Sequence, residues 1–141
     1  MNHDTYFIGS GDLSFETIEQ ILTRHQKLEL SQTAIDKIQK CRNFLDEKIK
    51  SSDVPLYGIT TGFGSLCNRS ISPDELNTLQ ENLVKSHACS VGDEVAPDIV
   101  RLMLLLKAHA LSLGHSGVQV VTVQRLSLIH ISEPTRRRGI S

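Results

Sequence analysis

The sequence contains little of what marks a metal-binding or disulfide-linked protein. Its three cysteines, Cys41, Cys67 and Cys89, are widely spaced and form no C-x-x-C pair. They therefore suggest neither a disulfide framework nor a zinc site. The six histidines include no pair at i, i+4 and no H-E-x-x-H motif. A zinc enzyme is not expected, and no metal ligand is predicted.

The sequence also has a net charge close to zero and lacks a long apolar run. A net charge of −1 provides no basic surface for nucleic acid or an anionic membrane. The segment from Met1 to Gly11 has neither the basic part nor the apolar part of a secretory signal. The apolar run from Ile99 to Leu106 is too short to span a bilayer. We expect a cytoplasmic protein that binds neither nucleic acid nor membrane, either as one globular domain or as a piece of a larger one.

Apolar residues recur at helical spacing along most of the chain, which predicts an all-α fold. A first helix follows Ser14, which can cap it, and a second opens at Ser31. A third helix has the clearest start, with Ser72 as N-cap and Pro73 at the first helical position. Glu75 then completes a capping box, so the register of this helix is well defined.

A fourth helix is predicted to open at Pro97 and to run to Leu113, with Gly114 ending it. This helix is apolar nearly all round, so it requires cover on every side. The three helices before it offer limited surface for that purpose. The sequence therefore implies partners for this helix, either the rest of a larger chain or other subunits.

The loop at positions 57–64, Y-G-I-T-T-G-F-G, lies between predicted helices and contains three glycines. Glycines let the backbone adopt a positive φ or approach another group closely, so such a loop can hold a side chain against a site. Tyr57 is the side chain that it would hold. A phosphate-binding loop is not indicated, because no lysine follows Gly64 and no G-x-G-x-x-G occurs. A purely structural turn is the simpler alternative.

His87 falls on the apolar stripe of the third helix, four residues after Leu83. The sequence thus predicts that His87 lies on the buried side of this helix. A histidine on such a stripe is more often a core residue than a functional one, and both interpretations remain open from the pattern alone.

Two motifs together carry a resemblance to a known family. The loop at 57–64 is followed some twenty residues later by L-Q-E-N-L-V-K-S-H-A at 79–88. This pair resembles the aromatic amino acid ammonia-lyases, and among them the histidine-specific members most. The resemblance runs from the first residues to about Arg125 and implies the N-terminal helical part of a larger, mainly helical enzyme. It also implies a helix at 118–125, where the β-branched valines by themselves favour a strand.

The resemblance implies removal of ammonia from the α-carbon of an amino acid with loss of a β-proton, which gives urocanate when the substrate is histidine. That proton is weakly acidic and ammonium is a poor leaving group, so the reaction needs both a base and an electrophile. In the family the electrophile is a methylidene-imidazolone group formed from an internal Ala-Ser-Gly. No Ala-Ser-Gly occurs in these 141 residues.

Residue roles follow from the same resemblance. Tyr57 would be the catalytic base, and His87 would contact the imidazole of a small-molecule amino acid substrate. The family forms homotetramers whose active sites draw on more than one subunit. Thr60 stands where many histidine-specific members carry Asn, and Cys89-Ser90 where many carry Ala-Gly. The residues expected to support the loop under Tyr57 are Gly58, Thr61, Gly62, Phe63 and Gly64.

The C-terminal residues have a different character. Positions 126–136, L-S-L-I-H-I-S-E-P-T-R, resemble the direct translation of a transposase sequencing adapter. We therefore expect residues 1–125 to be the N-terminal part of an ammonia-lyase domain and residues 126–141 to be a non-native tail. The alternative is a genuine basic tail, in which the three arginines at 136–138 would favour binding to nucleic acid or a membrane.

Three functions are weighed on these grounds. The first is an N-terminal fragment of a histidine-specific lyase, inactive by itself. The second is a fragment of a tyrosine or phenylalanine lyase, which the Ser86-His87 pair disfavours because a phenyl ring gains little from an imidazole partner. The third is a small helical interaction module that docks through its apolar fourth helix.

Overall fold

The computed structural model describes residues 4–51, 56–59, 61, 73–89 and 91–132. The described chain is mainly helical, which confirms the predicted fold class. The elements, in chain order, are β1 Thr5–Ile8, α1 Phe15–Thr23, β2 Lys27–Leu30, α2 Gln32–Ser51, α3 Pro73–His87, α4 Pro97–Ser112 and α5 Val120–Ser132.

Two compact units make up the chain. The first combines Met1–Asp46 with Val95–Ser141, and the second is Glu47–Glu94. The first unit contains the hydrophobic core. The second contains α3 and the turn at Tyr57.

The first unit begins with a β-α-β arrangement that the helical pattern did not predict. β1 and β2 pair in parallel, with Thr5 opposite Lys27 and Ile8 opposite Leu30. A parallel pair requires a crossover connection, and α1 provides it. Each strand has only four residues, too few to show a distinct two-residue period.

Helix α1 begins where the sequence predicts. The Ser14 side chain accepts a hydrogen bond from the backbone N–H of Thr17 at 3.2 Å, which satisfies one of the donors that a helix start leaves unpaired. A hydrogen bond from Ser14 lowers the pKa of the exposed Glu16 carboxyl. Ser31 caps α2 in the same way, accepting from the Ala34 N–H at 3.2 Å.

Residues from both strands and four helices form one core in the first unit. Full burial of an Ile or Leu side chain contributes about 1.5–3 kcal/mol, so these ten residues supply much of the stability of this unit. The buried residues are Ile8, Ile21, Leu28, Leu30, Ala34, Ile38, Leu105, Ala108, Leu111 and Val123.

The loop between α4 and α5 is fastened to α2 at two glycines. A Cβ on Gly114 (φ 77°) would lie 2.8 Å from the Lys37 backbone, and one on Gly117 (φ 66°) would lie 2.5 Å from Leu45 Cδ2. Arg42 adds a hydrogen bond from Nη1 to the Gly117 carbonyl at 3.2 Å. Only glycine allows this combination of close contact and positive φ.

Helix α4 has one buried and one exposed face. Leu105, Ala108 and Leu111 are buried, whereas the opposite side is open to solvent. Helix α5 is helical from Val120, as the family resemblance implied and the local valine pattern did not. It continues past Arg125, and the tail boundary at that residue stays a prediction, because a helix can continue into any helix-compatible sequence.

Candidate functional site

Tyr57 lies in a tight turn. The Ile59 N–H donates to the Leu56 carbonyl at 3.0 Å, and Gly58 between them has φ 71°. A glycine with positive φ at the third position is typical of a type II turn, which places Tyr57 at its second position. The Tyr57 side chain is 65% exposed. The turn therefore presents the phenol at the surface of its unit.

Thr61 stabilises this turn through a hydrogen bond to its backbone. Its side chain is 1% exposed, and its Oγ1 accepts a hydrogen bond from the Gly58 N–H at 3.2 Å. A buried hydroxyl that satisfies a backbone donor resists displacement, because breaking the bond leaves the donor unpaired. Gly58 and Thr61 are therefore joined by a hydrogen bond within the turn that contains Tyr57, and their role in supporting a site stays a prediction. Gly62, Phe63 and Gly64 lie outside the described residues, as do Thr60 and Ser72.

His87 is the last residue of α3, and it is exposed. The prediction that it lies on a buried side is wrong for this chain. Leu79 and Leu83 on the same stripe are only half-buried. Periodicity identifies the apolar side of a helix but does not tell whether the chain itself covers that side.

Two local contacts orient the His87 ring. Its Nδ1 lies 2.8 Å from the Leu83 carbonyl oxygen and 3.0 Å from Ser86 Oγ. A carbonyl oxygen only accepts hydrogen bonds, so the 2.8 Å contact requires a proton on Nδ1. In the neutral ring the lone pair then lies on Nε2. In this neutral tautomer Nε2 can accept a hydrogen bond.

Ser86, which the sequence paired with His87, lies against the His87 ring in the structure. Its hydroxyl donates to the Leu83 carbonyl at 2.8 Å, so it shares that acceptor with His87. The available signal was a serine near a helix end, where its hydroxyl commonly bonds a carbonyl one turn back. Cys89, two residues after His87, is exposed, and its Sγ lies 4.0 Å from the Ser86 carbonyl oxygen.

Tyr57 and His87 belong to the same compact unit, and both are exposed there. Across the described ranges, no group of three His, Cys, Asp or Glu side chains is placed to hold a metal ion. None of the helices in the described part of the chain has the length and apolarity needed to cross a membrane. Tyr57 and His87 are thus two exposed candidate residues in this unit.

The match to known proteins defines the class. A family profile described as "Aromatic amino acid lyase" matches residues 13–131, and the chain belongs to this family. Among its relatives is the histidine ammonia-lyase of Clostridium tetani (strain Massachusetts / E88), which is 42% identical over 115 residues. That match covers 82% of this chain and 22% of the relative.

Superposition on solved structures supports the same family assignment. The histidine ammonia-lyase from Trypanosoma cruzi superposes with a TM-score of 0.75 at 29% identity, covering 92% of this chain and 24% of the other. Tyrosine aminomutase from Streptomyces globisporus superposes with a TM-score of 0.78 at 27% identity, with the same coverage of 92% and 24%. The chain spans less than a quarter of the length of these relatives.

Proposed function

We propose that the chain is the N-terminal segment of a histidine ammonia-lyase, which eliminates ammonia from L-histidine to give urocanate. The observation that carries this proposal is the orientation of His87. Its Nδ1–H is engaged by the Leu83 carbonyl, so Nε2 is left as an acceptor for an N–H donor. A histidine substrate offers such a donor on its imidazole, and a phenylalanine ring offers none. A tyrosine phenol also has a donor, so the choice of histidine over tyrosine is supported by the relatives, among them a histidine ammonia-lyase that is 42% identical over 115 residues.

Tyr57 is the proposed general base. During elimination the β-carbon loses a proton to the side-chain oxygen of Tyr57, the C–H electron pair becomes the new double bond, and the C–N electron pair leaves with the nitrogen as ammonia. The exposed position of Tyr57 in a fixed turn supports this role, because a base must reach the proton that it removes.

Enzymes of this family use a methylidene-imidazolone electrophile, which draws electrons from the amino acid and makes ammonia easier to expel. Its Ala-Ser-Gly precursor does not occur in the 141 residues, so this segment does not form the group. The steps assigned to this chain are therefore confined to proton removal by Tyr57 and substrate orientation by His87. On this proposal the 141-residue chain by itself is inactive.

The longer protein is proposed to act on its small-molecule substrate in the cytoplasm as a homotetramer. The family resemblance supports the tetramer.

The test is an assay of the protein encoded by the complete gene, with the 141-residue chain in parallel. Histidine, phenylalanine and tyrosine are supplied separately, and urocanate, cinnamate and coumarate are followed by their absorbance. We expect urocanate from the complete protein with histidine, and no product from the 141-residue chain. Cinnamate or coumarate formed in preference to urocanate would contradict the choice of histidine.

A further inference from the structure

Helix α4 and its C-cap residue Leu113 carry a row of exposed apolar side chains. Ile99 is 52% exposed, Met103 61%, Leu106 44% and Leu113 46%, and Ala110 in the same row is also exposed. We call these five residues the α4 seam. Large apolar side chains that are scattered singly are normal on a protein surface, but an ordered row of them marks an interaction site.

The spacing of the residues in the α4 seam indicates that the partner is another helix. Successive residues are separated by four, three, four and three positions, which is the heptad repeat of helices that pack side by side. The buried residues Leu105, Ala108 and Leu111 lie on the other side of the helix, toward the core. The seam is therefore a separate face, suited to one helix that lies roughly along α4.

The charge of the residues beside the α4 seam limits which partner helix can bind there. The positions that flank a heptad seam on α4 are occupied by Val100, Leu102, Lys107 and His109. None of them is a carboxylate, and Lys107 is exposed. Flanking charges in such pairs select partners of opposite charge. The favoured partner helix thus has an acidic side chain facing Lys107.

A second copy of α4 does not meet this requirement. The acidic residue of α4, Asp98, is not at a flanking position and lies 3.2 Å from Arg101 in an ion pair. A self-paired α4 would therefore leave Lys107 without a carboxylate across the seam. The chain spans 22–24% of the length of its relatives, which have the same helical fold, so further helices of one polypeptide are the natural source.

We propose that the α4 seam binds one amphipathic helix of the same polypeptide that lies outside these 141 residues. That helix has an apolar heptad row against the seam and a Glu or Asp facing Lys107. The proposal rests on the proposed function only in taking the chain as part of a longer lyase. It assigns to α4 a role in joining this segment to the remainder.

Met103 provides a direct readout, because its exposed thioether is oxidised by hydrogen peroxide and is protected when covered. The first arm uses the 141-residue chain, with its fold checked by circular dichroism. Two synthetic helical peptides with the same leucine heptad row serve as probes, one with Glu and the other with Lys at the flanking positions. Met103 oxidation is followed by mass spectrometry, with a free methionyl peptide as internal standard.

We expect the Glu peptide at ten times its Kd to slow Met103 oxidation about tenfold, as the bound fraction requires. The Lys peptide should bind about two- to fivefold more weakly, the range for one exposed ion pair. The substitution Lys107→Glu, at an exposed position, should make the Lys peptide bind more tightly than the Glu peptide. Lys107→Arg is the matched control and should keep the preference for the Glu peptide. Equal binding of both peptides, or an unchanged preference in Lys107→Glu, would overturn the acidic-partner assignment.

The second arm tests whether the α4 seam is covered in the complete protein and does not depend on the short chain folding. In the complete protein, Met103 should oxidise at least about tenfold more slowly than in the same protein unfolded in urea. Oxidation at the unfolded rate would overturn the proposal. Protection of the 141-residue chain that rises with its own concentration would assign the seam to a second copy instead. Neither readout involves urocanate, so failure here is distinct from failure of the proposed activity.

Discussion

At the scale of single residues, the His87 ring is fixed through one nitrogen, and this makes the role of the other nitrogen testable. In the complete enzyme, His87→Leu removes the acceptor and should raise KM for histidine by about two- to tenfold, the value of one lost hydrogen bond. His87→Gln keeps an acceptor oxygen and should lose less. Steady-state kinetics on both variants measure the difference. The same KM in the two variants would mean that Nε2 accepts no hydrogen bond from the substrate.

Thr61 offers a second residue-scale test, because it acts on Tyr57 through the backbone. Thr61→Val leaves the Gly58 N–H without its acceptor and loosens the turn, so kcat of the complete enzyme should fall by about tenfold or more. Thr61→Ser retains Oγ and is the matched control. If both variants melted lower but kept the wild-type kcat, Thr61 would be a stabilising residue without a positioning role.

At the scale of the helices and strands, the start of a helix could be predicted where a capping residue or a proline marks it. Ser14, Pro73 and Pro97 each mark the beginning of a helix, and the three helices begin there. These signals are local, because capping and φ restriction involve residues within one turn. Strands β1 and β2 were missed because their pairing joins residues 22 positions apart.

Burial was harder to predict than helix position. The sequence correctly showed that α4 is apolar on several sides, but only the structure distinguishes its core face from the α4 seam. The same difficulty explains His87, whose stripe is apolar but is not covered within the described residues. Coverage depends on parts of the molecule that no local pattern contains. For the candidate site, Tyr57 and His87 are predicted from the two motifs, whereas the contact between Ser86 and the His87 ring required the structure.

The cap of α1 gives a prediction at this scale that combines stability with pH. Ser14→Ala removes both the cap and the hydrogen bond to Glu16, so α1 should lose about 1 kcal/mol. The pKa of Glu16 should rise toward its ordinary value. Because the folded-state pKa is lowered, the contribution of Glu16 is present above the unfolded pKa and is lost as pH falls through the folded one. An NMR titration of the Glu16 carboxyl measures the shift, with Glu16→Gln as the control that keeps the cap. A Glu16 pKa unchanged by Ser14→Ala would disprove the assigned cause.

At the scale of the whole molecule, the prediction about residues 126–141 remains to be tested. Genomic DNA amplified from within the coding region to a site downstream should diverge from this sequence at or just after Arg125. The true reading frame should continue α5 with apolar residues at helical spacing and reach an Ala-Ser-Gly within a few tens of residues. An unbroken frame through the S-E-P-T-R at 132–136 to a natural stop codon would refute the non-native tail.

Tyr57→Phe in the complete enzyme tests whether Tyr57 is the general base of an ammonia-lyase. The substitution keeps the ring and removes only the oxygen that takes the proton. Urocanate formation from histidine, followed by absorbance, should show kcat reduced by on the order of 10²–10⁴ or more, with KM little changed. A Tyr57→Phe enzyme that forms urocanate at the wild-type rate would show that Tyr57 is not the base.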